Sequence, residues 1–271
     1  MRSVHVAAAQ IQSKAFDVQG NLDKMLAQIK SAAAVGVEAI IFAETCIHSY
    51  CMYPESVALA EPLGGPVCET VLGWAREYGM VIMAGMLEKS ELGIHNSHVV
   101  AYPDGSAFTI RKHVQTPFEV DAKLVPGVAE RQVFEINGVK CSLFICADSA
   151  MTDLYDKLKE KGVELLFYGT ASGGYRKDYI TEAEAGTPEG LLKYIDESRP
   201  RFYEPRQTIP AGEFKVAKAY ANSLGDDGAF MTHPGHCLIV DRNRIVRAQI
   251  NCTNVVEHFL DQMIHAVLYF D

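Results

Sequence analysis

Short apolar runs alternate along the chain with segments in which an apolar residue recurs every third or fourth position. The runs predict buried strands, and the recurring positions predict amphipathic helices. The first 44 residues follow this pattern as strand, helix and strand, with Asn21 as the expected helix cap. We predict strands at 4–11, 37–43, 80–87, 98–102, 107–111, 133–136, 139–145, 163–168, 214–221, 236–240 and 245–248, and helices at 21–34, 68–78 and 152–161.

Two turn signals join neighbouring predicted strands into hairpins. Pro103-Asp104-Gly105 separates 98–102 from 107–111, and Asn137-Gly138 separates 133–136 from 139–145. Because α/β units and hairpins follow one another without a dividing linker, we predict one domain over 1–271. A layered α/β sandwich fits this mixture of elements best. With 271 residues, of which 48% are hydrophobic, the chain can bury a core of that size.

Two segments lack a regular pattern. Residues 169–210 are predicted to be a long loop with a short helix at 187–198, and loops of this length usually serve as lids or interface segments. The tail at 253–271 is apolar at many positions. We expect it to form a helix or an extension that packs on a partner subunit.

The composition excludes some classes of function. A net charge of -9 argues against nucleic-acid binding, although a small anionic ligand is compatible with it. No stretch approaches the ~18 apolar residues of a membrane span, and the N-terminus has no signal-peptide pattern. The seven cysteines are irregularly spaced, which favours reduced thiols and a cytoplasmic location.

Three reactive side chains follow apolar strands at their ends. Glu44 follows the run 39–43, Lys112 follows 108–111, and Cys146 follows 141–145. In α/β sheets, sites collect at such strand ends. A carboxylate, an amine and a thiol in this setting predict a Glu/Lys/Cys catalytic site. Taken singly, each has a plainer explanation, since cysteines are commonly core residues and most charged side chains are solvated.

The loop after Glu44 offers a different interpretation. Cys46, His48 and Cys51 are types that bind zinc, but their spacing matches no four-ligand set, so we expect no metal. We expect this loop to line a pocket, with Tyr50 or Tyr53 shaping it.

Seven short segments then point to a known family. They occur in a fixed order across residues 6–241: Val6–Gln10, Ile41–Glu44, Gly105–His113, Phe118–Glu119 with Pro126–Gly127, Ile145–Asp148, Ala219–Asn222 and Gly235–Asp241. In this order they resemble the nitrilase, or carbon–nitrogen hydrolase, superfamily.

The resemblance implies a four-layer α-β-β-α sandwich that assembles as a homodimer or a higher homo-oligomer. It implies hydrolysis of a non-peptide C–N bond in a small-molecule substrate, without metal or organic cofactor. Glu44 matches the family's general base, Lys112 its lysine and Cys146 its nucleophile. Glu119 falls where many members place a second glutamate. We expect His113 to orient the lysine.

Substrate contacts are expected around the cysteine and in the long loop. The backbone N–H of Ala147 would be a second oxyanion donor beside Lys112. Gly173-Gly174-Tyr175-Arg176 resembles a substrate-binding loop, and Arg176 could bind a carboxylate. Thr170, at the start of the same loop, is also a candidate.

The chain departs from the family at two places. Ala43 stands where proline commonly precedes the base, and the stretch 147–153 keeps Asp148 but lacks the usual aromatic residue and arginine. Asp148 favours an amidase or N-carbamoylase over a nitrilase. Nitrile hydrolysis by the same triad remains an alternative. The altered stretch also allows a catalytically silent binding or assembly protein.

Overall fold

The computed structural model describes residues 1–175, 181–185, 187–190, 192–193, 215–250 and 260–271. Its helices are α1 (Val18–Ala34), α2 (Pro54–Val57), α3 (Pro66–Tyr78), α4 (Pro117–Asp121), α5 (Thr152–Glu160) and α6 (Glu182–Ala185), with a 3-10 turn at Cys146–Ala150. Its strands are β1 (Arg2–Gln10), β2 (Ala39–Ile41), β3 (Val81–Ser90), β4 (Gly93–Ala101), β5 (Ala107–Arg111), β6 (Phe134–Ile136), β7 (Val139–Ile145), β8 (Leu165–Thr170), β9 (Gly174–Tyr175), β10 (Ala217–Asn222), β11 (Leu224–Asp226), β12 (Met231–Pro234), β13 (Leu238–Val240), β14 (Val246–Gln249) and β15 (Gln262–Phe270).

Two six-stranded sheets form the centre of the fold. The first has the order β15-β1-β2-β3-β4-β5 and the second β14-β13-β10-β8-β7-β6, while β11, β12 and β9 form a small third sheet. Strands β1, β2 and β3 are parallel neighbours, as are β7, β8 and β10. Parallel strands need crossover connections, which here include α1, α3 and α5.

The sheets pack face to face, and helices cover their outer faces. Val6 and Ile41 of the first sheet share a buried apolar cluster with Leu143 and Phe167 of the second. The outer face of the first sheet packs against α1 and α3, and that of the second against α5. These layers confirm the predicted four-layer α-β-β-α sandwich.

Burial on both faces explains why the first strand is almost continuously apolar. Val4, Val6 and Ala8 face the other sheet, whereas Ala7 and Ala9 face the helices, and all five are fully buried. Parallel strands covered on both faces have this composition.

The first helix begins earlier than predicted. Asp17 is its N-cap and accepts a hydrogen bond from the Gly20 N–H, so the expectation that Asn21 caps the helix was wrong. Asn21 is buried inside the helix instead, and its side-chain N–H groups donate to the carbonyls of Lys14 and Ile47.

Strand pairing accounts for two further differences from the predicted elements. β4 begins at Gly93 because it pairs with β3 from Ser90 onward. Gly169 and Thr170 complete β8, and residues 174–175 pair with β12, so the predicted loop does not begin at 169. The predicted helix at 187–198 is described only at 187–190 and 192–193, where residues 188–190 and 192–193 are helical.

The C-terminal tail contributes a strand to the chain's own fold. Residues 262–270 pair antiparallel with β1, so this part of the tail is not a helix. The packing of 253–271 on a partner subunit stays a prediction, and residues 251–259 lie outside the described residues. In the described part of the chain, no helix has the length and apolar character needed to cross a membrane.

A glycine in β3 allows the segment around Glu44 to approach the sheet closely. A Cβ at Gly85 would lie 2.5 Å from the Ala43 carbonyl oxygen and 2.7 Å from the Glu44 carbonyl carbon, and it would collide with the Thr45 backbone nitrogen. Because these are backbone atoms, no flexible side chain can move aside. The position therefore requires glycine although its φ is ordinary.

We therefore expect Gly85→Ala to lower the free energy of unfolding by roughly 1–3 kcal/mol or more, as overpacking does in a filled core. Gly73→Ala is the matched control, since Gly73 lies inside α3 and a Cβ there meets no atom within 4 Å. That substitution should raise stability by about 0.5–1 kcal/mol. Urea denaturation measures both. Equal stability of the two variants would contradict the close approach.

Candidate active site

Glu44, Lys112 and Cys146 lie together at one end of the sandwich. Lys112 directly follows β5, Cys146 directly follows β7, and Glu44 comes three residues after β2. The Glu44 N–H donates to the Thr170 carbonyl at the end of β8, at 3.3 Å, which links the two sheets at this end. The structure thus brings together the three residues that the strand-end pattern predicts.

Glu44 is fully buried, and both of its carboxylate oxygens have defined partners. Oε1 lies 2.7 Å from Lys112 Nζ and accepts from Asn96 Nδ2 at 2.7 Å. Oε2 accepts from the Ala171 backbone N–H at 2.8 Å. These contacts hold the carboxylate in one orientation.

Glu119 contacts the other side of the lysine, as its predicted position implies. Its Oε2 lies 2.8 Å from Lys112 Nζ, and its Oε1 accepts from Asn96 Nδ2 at 2.6 Å. The same carboxylate accepts from the Thr116 N–H at 2.7 Å, closing a capping box at the start of α4. The cap of α4 therefore orients the Glu119 carboxylate, which in turn holds the Lys112 ammonium.

Asn96 bridges the two glutamates, and the sequence pattern does not identify it. Its side-chain N–H group donates to both carboxylates, while its backbone carbonyl accepts from the Lys112 backbone N–H at 2.8 Å. Asn96 belongs to β4, which pairs with β5. Asn96 lies before the strand predicted at 98–102 and among other polar residues, so the sequence carries no signal for its role.

The charges of this group constrain one another. Burial opposes the charge on Lys112, but the charges of Glu44 and Glu119 hold the pKa of its ammonium well above the ordinary value. Burial raises the pKa of Glu44, and the charge of Glu119 raises it further, whereas Lys112 lowers it. The lysine is thus charged, and Glu44 is a stronger base than an exposed glutamate.

Cys146 is held as a thiol in a strained backbone conformation. Its φ is 47°, in the left-handed region that is rare for residues other than glycine. Burial raises the pKa of the thiol, and the negative charge of Glu44 raises it further. Its sulfur therefore needs a base at the moment of attack, and Glu44, whose charge acts on the thiol, is placed to be that base.

Asp148 ties the segment after Lys112 to the turn after Cys146. Its Oδ1 accepts from the backbone N–H groups of His113 and Val114 at 2.9 and 2.8 Å, and its Oδ2 lies 3.1 Å from Arg131 Nη2. His113 was expected to orient the lysine. Its ring nitrogen Nδ1 instead lies 2.7 Å from the Gly127 carbonyl, so the ring does not serve that role. The sequence pattern does not identify Arg131.

The predicted substrate contacts divide into three groups. Tyr50 lies below Lys112, with Nζ 5.5 Å from the ring centre and the hydroxyl 2.6 Å from Thr116 Oγ1. The Thr170 hydroxyl is fully buried and lies 2.9 Å from the Tyr220 hydroxyl and 2.8 Å from Asn222 Oδ1. This places the Thr170 side chain in the fold rather than against a substrate.

The remaining predicted contacts lie at the turn after the cysteine and in the long loop. Ala147 is the second residue of the 3-10 turn, so its N–H precedes the first hydrogen bond of that turn. Tyr175 ends β9, and Arg176 lies outside the described residues. The substrate contacts of Ala147, Tyr175 and Arg176 stay predictions.

The Cys46, His48 and Cys51 loop is buried beside the site. His48 Nδ1 accepts from the Leu87 N–H at 3.1 Å, and Nε2 lies 3.2 Å from the Leu59 carbonyl, so backbone groups occupy both ring nitrogens. Within the described ranges, no group of three His, Cys, Asp or Glu side chains is placed to hold a metal ion.

Comparisons with known proteins identify relatives of this chain. The chain is similar to an (R)-stereoselective amidase from Pseudomonas sp, with 26% identity over 161 residues, which cover 59% of this chain and 58% of the amidase. It is also similar to the N-carbamoylputrescine amidase of Solanum tuberosum, with 26% identity over 185 residues, 65% of this chain and 61% of that protein. The chain thus spans about three fifths of the length of these relatives.

A solved amidase from Nesterenkonia sp. AN1 carries acrylamide added to its active-site cysteine. It shares the fold with a TM-score of 0.74 at 18% sequence identity, covering 99% of this chain and 93% of its own. The family model for carbon-nitrogen hydrolases matches residues 5–186, well over half of the chain. That range contains Glu44, Lys112 and Cys146, and the chain belongs to the carbon-nitrogen hydrolase family.

Proposed function

We propose that the protein hydrolyses the C–N bond of a small amide or N-carbamoyl compound through a thioester on Cys146. The observation that carries the proposal is that Glu44 is buried against the Lys112 ammonium, at 2.7 Å, and that its charge acts on the Cys146 thiol. A base, a cation and a nucleophile in one closed site are the parts that acyl transfer needs.

In the first half of the reaction, Glu44 takes the thiol proton while the sulfur attacks the carbonyl carbon. The carbonyl electron pair moves to oxygen, and the resulting oxyanion lies between Lys112 and the Ala147 N–H. One such donor contributes on the order of 100- to 1000-fold in rate. When the oxyanion collapses, the C–N bond breaks and Glu44 returns the proton to the leaving nitrogen as ammonia or an amine.

In the second half, Glu44 removes a proton from a water molecule that attacks the thioester. Collapse of the second oxyanion expels the sulfur, which recovers its proton from Glu44. The net reaction consumes one water and forms an acid and ammonia or an amine. No step requires a metal or an organic cofactor. When Glu44 carries the proton, Glu119 remains the carboxylate that contacts the Lys112 ammonium.

The preference for an amide or carbamoyl substrate rests on two supports. Asp148 follows the cysteine by two residues, where the resemblance associates glutamate with nitrilases. The curated relatives include proteins named as an amidase and an N-carbamoylputrescine amidase. Nitrile hydrolysis to an acid would consume two waters rather than one, so product analysis separates the two. A silent binding protein would need neither the base nor the oriented thiol.

Cys146→Ala should abolish ammonia release in a screen of amides, ureido acids and nitriles, because the alanine cannot form the thioester. Cys68→Ala is the matched control, since Cys68 is buried in α3 beside Met86 and away from the site. The control should keep at least roughly half of the activity, because it only trims a core side chain. Undiminished ammonia release by Cys146→Ala would exclude the proposed nucleophile. A wild-type chain that turns over no member of the screen would favour the silent protein.

Glu119→Gln should move the acidic limb of the activity profile to lower pH. The charge of Glu119 raises the pKa of Glu44, so removing that charge lowers it and leaves Glu44 ionised at lower pH. We expect kcat/KM to persist to lower pH than in the wild type, with a loss of up to about 10-fold in kcat as the base weakens.

The control for this pH experiment is Glu130→Gln. Glu130 is an exposed carboxylate that pairs with Lys161 on the surface, so its removal should leave the profile unchanged. A displacement of the acidic limb to higher pH in Glu119→Gln would contradict the arrangement of charges described here.

A further inference from the structure

Two hydroxyl groups hold the carbonyl oxygen of the nucleophile's own residue. Tyr168 Oη lies 2.8 Å and Ser149 Oγ lies 3.1 Å from the Cys146 carbonyl oxygen, and the two hydroxyls lie 2.7 Å apart. The three oxygens make three mutual contacts, and the two hydroxyls have one proton each. Only one of these protons can lie between the hydroxyls, so the other is donated to the Cys146 carbonyl. The mechanism above uses neither side chain.

The held carbonyl and the oxyanion donor belong to the same peptide unit. The Cys146 C=O and the Ala147 N–H share one planar trans peptide group and point in opposite directions. Hydrogen bonds that fix the carbonyl on one side therefore fix the direction of the N–H on the other. A rotation of this peptide would turn the Ala147 N–H away from the site while leaving the Cys146 side chain attached to the same Cα.

The backbone at Cys146 needs such support. Its φ of 47° is unfavourable for a residue with a side chain, and conformations of this kind persist only when surrounding contacts hold them. Asp148 holds the same turn from the other side through the Ile145 N–H, at 3.3 Å.

Tyr168 is a rigid support for that purpose. Its ring is buried, its centre lies 5.2 Å from that of Tyr220, and Lys218 Nζ lies 4.4 Å from it. Burial also raises the pKa of the Tyr168 hydroxyl well above its ordinary value, so it remains a neutral donor. The phenol oxygen thus meets the Cys146 carbonyl from a fixed position.

We propose that Tyr168 and Ser149 are positioning residues of the oxyanion site, which aim the Ala147 N–H by holding the carbonyl of the same peptide. This inference rests on the proposed function, since it gives that N–H a task in acyl transfer. The two side chains act through Cys146 and do not touch the reacting atoms.

Two reactions of the same sulfur test the proposal. Acyl transfer from p-nitrophenyl acetate passes through an oxyanion, whereas iodoacetamide alkylation forms the S–C bond as iodide leaves and develops no oxyanion. Tyr168→Phe and Ser149→Ala should each slow the release of p-nitrophenolate by about 10-fold, since a misdirected donor loses part of its 100- to 1000-fold contribution. Both should keep the alkylation rate of Cys146 within about twofold, because the sulfur and Glu44 are unchanged.

Two further variants separate positioning from a general effect on structure. Ser149→Thr keeps the hydroxyl and should restore most of the p-nitrophenolate rate that Ser149→Ala loses. Tyr155→Phe makes the same change in a neighbouring buried tyrosine, whose ring packs on Phe144 with a centre distance of 5.1 Å. It should leave both rates unchanged. Circular dichroism and thermal melting confirm that each variant is folded.

The outcomes distinguish this inference from the proposed function. If wild-type release of p-nitrophenolate does not exceed that of Cys146→Ala, the proposed function fails and the inference fails with it. If release depends on Cys146 but Tyr168→Phe and Ser149→Ala match the wild type, only the inference is overturned. Equal slowing of acylation and alkylation would also overturn it, since the variants would then have displaced the thiol itself.

Discussion

The lysine ammonium enclosed by two glutamates is the interaction on which the rest of the structure depends. Lys112, Glu44 and Glu119 are each almost completely buried, and the ammonium lies 2.7 and 2.8 Å from the two carboxylates. Without the lysine, two buried carboxylates would lack a counter-charge, and leaving a buried charge uncompensated costs on the order of 3–5 kcal/mol. The segments that carry the three side chains must therefore converge, and β2, β5 and α4 meet at this point.

The same constraint explains the chemistry. A base that contacts a permanent cation stays ionised in a closed site, and a second carboxylate keeps that base from becoming too weak. In the proposed reaction the thiol, whose pKa is raised, transfers its proton only when Glu44 accepts it. Asp148 and Asn96 complete the arrangement by fixing the turn after Cys146 and the gap between the glutamates. Glu44, Lys112 and Glu119 thus each have a partner that sets either the charge or the direction of the side chain.

Much of this could be predicted from sequence because strand ends and motif order are local signals. Glu44, Lys112 and Cys146 each follow an apolar run, and Glu119 lies in a short helix a few residues after the lysine. Asn96, Arg131 and Ala171 carry no comparable signal, since their roles arise from contacts with residues far away in the sequence. The C-terminal strand was missed for the same reason, because its apolar residues become a strand only by pairing with β1.

The stretch after the cysteine shows how a departure from the family pattern can be compensated. The usual aromatic residue and arginine are absent from 147–153, yet the turn is held by Asp148 with Arg131 from another segment, and by Ser149 with the hydroxyl of Tyr168. Part of the support for this turn thus comes from Arg131 and Tyr168, which lie outside the stretch.

The account's central claim is that Cys146, with Glu44 as its base, forms the acyl-enzyme. Peptide mass spectrometry of acid-quenched turnover tests this most directly, using the best substrate of the ammonia-release screen. We predict an added acyl mass on the peptide that contains Cys146, no such mass on the other cysteine peptides, and none on Cys146 in Glu44→Gln. Continued product release without an adduct on Cys146, or an adduct of equal yield in Glu44→Gln, would contradict the account.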